Sequence, residues 1–130
     1  MFWDEYRPVL ETAAERGTPL DRLESDWLGI QHAEVGSRLM EHWRLPSSVV
    51  EAIRWHHADP ECLLKWKDES HFSMQVAMAL VSCAGDFVCS SAREPARERL
   101  NRLACDLFHW TFDETQEFLR ETQSRAQLHD

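Results

Sequence analysis

The sequence predicts an all-α fold, a compact bundle of about six or seven helices. Three observations carry that expectation. Apolar residues recur at i, i+3 and i+4 along most of the chain. Glycines, prolines and capping residues punctuate these stretches as helix stops and starts. No segment shows the strict apolar/polar alternation of a strand.

Residues 2–16 form the first expected helix, with Phe2, Tyr6, Val9, Leu10 and Ala13 near one face. Pro8 is awkward inside it and marks a kink or a late start. Gly17 is a natural stop. Thr18 then reads as a cap, with Pro19 at the first helical position. The helix it opens, 19–29, groups Leu20, Leu23, Trp27 and Leu28 and ends at Gly29.

Two central helices follow, 31–43 and 47–57. In the first, His32, Val35, Gly36, Leu39, Met40 and Trp43 share one stripe. Gly36 costs helix propensity there, which close approach of a neighbouring helix would explain. In the second, Val49, Val50, Ile53 and His57 share a face, with Trp55 and His56 beside it. Pro46 disfavours helix at Leu45, and Ser48 with Glu51 reads as a capping box.

Asp59-Pro60-Glu61 is another start signal, followed by the short segment CLLKWK. Residues 70–89 read as the longest helix, with Phe72, Val76, Ala79, Leu80, Cys83 and Phe87 on one face. Its small residues suit tight packing. Ser90 to Pro95 is the best loop candidate. Residues 96–110 form a helix with Leu100, Leu103, Leu107 and Trp110 in register. Thr111 and Glu114 supply a capping box for a last amphipathic helix, 113–124, bearing Phe118 and Leu119, after which a polar tail frays.

The length fits one domain with a core of its own, and six Trp and six Phe supply bulky material for it. A formal net charge of −9 without a basic stripe disfavours nucleic-acid binding. Cys62, Cys83, Cys89 and Cys105 show no zinc-ligand spacing and read as reduced, mostly buried thiols of a cytoplasmic protein. The N-terminus lacks the pattern of a signal peptide. The longest uncharged run, Phe72 to Gly85, is too short to span a bilayer and reads as a buried helix. The acids Glu11, Glu15, Asp21, Glu24 and Asp26 read as a solvated N-terminal face.

One ordered string is more specific than periodicity. It runs from LGI (28–30) through HAEVG (32–36), Trp43, Leu45-Pro46 and VEAI (50–53) to the double histidine His56-His57. In this it resembles the second half of the HDOD family, the HD-related output domains of bacterial signalling proteins. The resemblance runs from about Phe2 to Cys89, so residues 1–90 are expected to be the C-terminal portion of such a domain and 91–130 a helical extension packed on it. It marks Gly36, Trp43 and Pro46 as structural motif positions. The upstream helices of a full-length member, with the His-Asp doublet that names the superfamily, have no counterpart. The only adjacent His-Asp pair is His129-Asp130. The Gly-Tyr-Pro motif of cyclic-dinucleotide phosphodiesterases is missing after His57, where the chain reads ADPEC.

The resemblance implies a divalent-metal site (iron, manganese or zinc) from His32, His56 or His57, and Asp86. Imidazole and carboxylate suit such ions. The plainer reading is structural. His32 caps its helix or bonds a nearby loop, His56 and His57 meet free carbonyls in a last helical turn, and Asp86 pairs with a histidine or an arginine. His42, His71 and His109 are isolated. The tryptophans 27, 43, 55, 66 and 110 read as core and edge packing. The leading expectation is a non-catalytic signalling module acting through protein contacts. It would form a homodimer through surface that the missing helices would have covered, with no nucleic acid, membrane or required cofactor. The alternative is a metal-dependent phosphohydrolase or phosphodiesterase of the HD superfamily, complete only with a missing N-terminal half.

Overall fold

A computed structural model describes residues 2–89 and 91–127. Among them are eight helices and no strand: α1 (Phe2–Arg16), α2 (Leu20–Leu28), α3 (His32–His42), α4 (Ser47–Arg54), α5 (Pro60–Leu64), α6 (Phe72–Cys89), α7 (Arg93–Phe108) and α8 (Phe112–Gln127). The side chain of Phe2, Ser90 at the start of the expected loop, and His129-Asp130 lie outside the described residues.

α6 is the hub. It packs most extensively on α7, and also on α4, α5 and α8. The apolar face expected of it is the one it buries. Val76, Ala79, Leu80, Cys83 and Ala84 meet Leu63 of α5, Leu100, Leu103 and Ala104 of α7 and Leu119 of α8 in one core. Trp55, Phe72, Phe87, Trp110 and Phe118 seal its edges. By length and composition α6 would also suffice to cross a membrane. α1 and α2 pair as an N-terminal hairpin, and α3 pairs with α4.

Several local expectations hold. Gly29 ends α2 in the left-handed region (φ 70°), its N–H donating to Ser25 O at 3.1 Å. Asp59 and Pro60 open α5. The Thr111 N–H donates to Glu114 Oε2 at 2.7 Å and the Glu114 N–H to Thr111 Oγ1 at 3.3 Å, a reciprocal capping box. A Cβ built on Gly36 would stand 3.2 Å from Ile53 Cγ2, so this glycine does mark the close approach of α3 and α4.

Others are corrected. Pro8 lies within α1 and neither ends nor delays it. Pro19 is the N-cap of α2 rather than its first helical residue, and Pro46 rather than Ser48 is the N-cap of α4. Both have ψ above 130°, and among the described residues neither helix start has a side-chain cap bond. Glu51 binds Arg54 and Trp55 Nε1 instead of a cap. α4 stops at Arg54, so His56 and His57 stand in the turn beyond it. α7 starts at Arg93 with Pro95 in its first turn, where its missing N–H costs nothing, and α8 continues to Gln127.

The stripe of α3 divides. Ala33 and Ser37 are buried and Gly36 meets Ile53. Val35, Leu39 and Trp43 are 50, 41 and 59% exposed. Trp27 and Trp66 are also exposed. Of the cysteines only Cys83 is buried; Cys62, Cys89 and Cys105 are exposed free thiols.

Candidate metal centre

His32 meets the adjacent pair His56-His57, 24 and 25 residues further on, at the junction of α2, α3 and the turn after α4. His32 is the first residue of α3. His56 and His57 reach it because α4 ends at Arg54, and the Trp55–His57 turn redirects the chain. His32 Nε2 is 2.8 Å from His57 Nε2 and 3.3 Å from His56 Nε2. One ring nitrogen from each lies within 4.8 Å of the others, and all three side chains are half-buried.

The opposite side of each ring is held. Glu24, only 1% exposed, accepts from His32 twice through Oε2, from the backbone N–H at 2.9 Å and from Nδ1 at 2.6 Å. Its Oε1 accepts from the Tyr6 hydroxyl. The Tyr6 pKa is pushed up to about 12, first by burial and then by this bond. His56 Nδ1 donates to the Ile53 carbonyl. Bonding therefore assigns the proton of both rings to Nδ1 and leaves both Nε2 lone pairs facing inward. His57 Nδ1 has two neighbours at 3.4 Å, Ser82 Oγ and Arg99 Nη1. If Ser82 accepts from it, the third Nε2 lone pair also points inward. If Arg99 donates to it, Nε2 carries the proton and donates to His32.

Electrostatics keep the cluster receptive. Burial lowers the His57 pKa to about 3, and the neighbouring His56, His32 and Arg99 push it the same way. Burial also lowers that of His56, against the pull of the Ile53 carbonyl. Neutral imidazole is the metal-binding form. Ring nitrogens bound to one ion at about 2.0–2.1 Å stand roughly 3 Å apart, and the observed 2.8 and 3.3 Å are of that order. The residues thus fit a divalent cation.

Asp86, on α6, is not drawn into the cluster. It lines the adjoining cleft with His57. Burial raises its carboxyl pKa, opposed by Arg99. His42 and His109 are exposed, and His71 Nε2 lies 3.4 Å from Ser47 Oγ. The acidic N-terminal face needs one correction, since Glu24 is the buried anchor of His32 and not a solvated acid. The signal was present: Glu24 sits four residues from both Leu20 and Leu28, inside the apolar stripe of α2. Ser82 and Arg99 carried no comparable mark.

Fold and site define an all-helical protein with a histidine cluster where helices converge. Residues 1–59, which contain all three histidines and Glu24, match the family model of the HDOD domain. An uncharacterized protein of Treponema pallidum (strain Nichols) is 37% identical over 59 residues, which make up 45% of this chain and 12% of that protein's length. No solved structure matches the chain.

Proposed function

We propose that this chain is a non-catalytic regulatory module of bacterial signal transduction, working in the cytoplasm through protein contacts, and that its three-histidine cluster holds one divalent cation, iron, manganese or zinc. The observation that carries the cation reading is the convergence of three imidazole nitrogens, two with lone pairs aimed inward by bonds on their far side. His32, His56 and His57 would be the ligands. Glu24 would orient His32 as carboxylates behind ligating histidines do. The ion would supply a cross-link between α3 and the turn after α4. Metal analysis of protein purified without added metal tests this. One equivalent bound, and lost in His32→Ala, is the expected result; a metal-free protein that also takes up none on titration overturns it.

Homodimerisation belongs to the same reading. The exposed stripe Val35, Leu39 and Trp43 supports it, and light scattering that finds a monomer at high concentration removes it. The division into residues 1–90 and a packed extension is likewise proposed. A second reading, a metal-dependent phosphohydrolase or phosphodiesterase, is favoured by one feature: the cluster adjoins a cleft that also holds Asp86. Turnover of a nucleotide substrate with manganese or iron, lost in His32→Ala, would favour it.

A further inference from the structure

The cleft beside the cluster has a volume of about 590 Å³. The N-terminal hairpin forms one wall, α6 and α7 the other, and His57 and Arg99 both border it. Arg99 is half-buried. Its Nη2 donates to the Ala58 carbonyl at 3.0 Å and its Nη1 makes the 3.4 Å contact with His57 Nδ1. Its Nε is buried and has no acceptor among the described residues. Asp21, Asp59, Asp86 and Glu98 border the same cleft, yet among the described residues no carboxylate comes within ion-pair distance of Arg99. Arg102, also at the cleft, is engaged by Glu61.

Asp86 lies close enough to feel the Arg99 charge but makes no direct ion pair with it, and the guanidinium stands beside a cluster suited to a second positive charge. A mobile anion can reach the guanidinium where the fixed acids do not. Guanidinium binds oxyanions through paired N–H donors, and turning Nη1 to such a ligand would release His57 Nδ1. That nitrogen could then carry its proton toward Ser82 Oγ and leave Nε2 free for the cation.

We propose that the cleft binds a compact oxyanion, phosphate or carboxylate, on Arg99, and that this anion and the cation of the histidine cluster strengthen each other's binding. The coupling rests on the cation reading; the anion site does not. Linkage requires that each ligand raise the affinity for the other by the same factor.

The test is calorimetric titration of the full chain with Mn²⁺ in chloride buffer, with inorganic phosphate, and with acetate at matched ionic strength. Melting curves of metal-free protein in the same three buffers accompany it. We expect one of the oxyanions to tighten Mn²⁺ binding about tenfold and to raise the melting temperature without metal. Both effects should vanish in Arg99→Gln and weaken in Arg99→Lys, with the helical circular dichroism of each variant checked first. A response to phosphate alone identifies a phosphate-type ligand, and a response to acetate a carboxylate. Mn²⁺ affinity that ignores both oxyanions overturns the coupling while leaving the cation reading intact. No Mn²⁺ binding in any buffer ends the cation reading and the coupling together. A melting temperature indifferent to both anions ends the anion site.

Discussion

The Glu24 carboxylate and His32 are joined twice through a single oxygen, Oε2, which accepts the backbone N–H and the ring Nδ1–H of the same residue. One buried acid therefore sets both the start of α3 and the direction of the ring. The backbone bond satisfies a donor that an uncapped helix leaves open.

Removing that acid should loosen fold and site together. Glu24→Ala strands the donors of His32 and Tyr6 and should cost about 2 kcal/mol; Glu24→Gln, which keeps the shape, should cost less. Urea unfolding measures both. If the cation reading holds, Glu24→Ala should also weaken metal binding roughly 10- to 100-fold.

Acid should destabilise the metal-free protein through His57. Its folded pKa of about 3 lies below the ordinary 6.5, so between those values the unfolded chain binds the extra proton. Stability is full above about pH 6.5 and declines as pH falls toward 3, by on the order of 1 kcal/mol per pH unit after allowance for partial exposure. Melting temperature against pH reads the slope, and His57→Gln should flatten it.

The α3–α4 contact sets a narrow size limit at Gly36. In Gly36→Ala the new methyl would lie 3.2 Å from Ile53 Cγ2, and the gain in helix propensity of about 1 kcal/mol should roughly offset the crowding. Gly36→Leu has no such compensation and should cost about 2–3 kcal/mol. Chemical denaturation of the pair decides whether close packing is the reason for this glycine.

The residues that were legible in the sequence share a local origin. The face of α6, the capping box at Thr111 and Glu114 and the glycine at 36 depend on neighbours a few positions away, or on a pattern that only burial explains. The histidines were visible through the ordered string from Leu28 to His57. What stayed hidden depends on tertiary placement. Arg99 reaches His57 across 42 positions, and Ser82 across 25. The α3 stripe misled because an apolar repeat fixes which residues share a face, not which edge of that face is covered. α4 covers the edge at Gly36 and leaves Leu39 in solvent.

The cap on α8 should act as an independent unit. Thr111→Ala removes the hydroxyl that accepts the Glu114 N–H and should cost about 1 kcal/mol. The site is exposed and remote from the histidines, so metal binding should be unchanged. Urea unfolding with a parallel metal titration checks both halves of that statement.

All three rings and the carboxylate behind His32 are contributed by residues 24 to 57, whereas the hub helix begins at Phe72. During synthesis on the ribosome these groups emerge before α6. A cation captured at that stage would tie the nascent α3–α4 pair together and shape the surface on which α6 later docks, so the metal supply at translation would bear on the yield of folded chains.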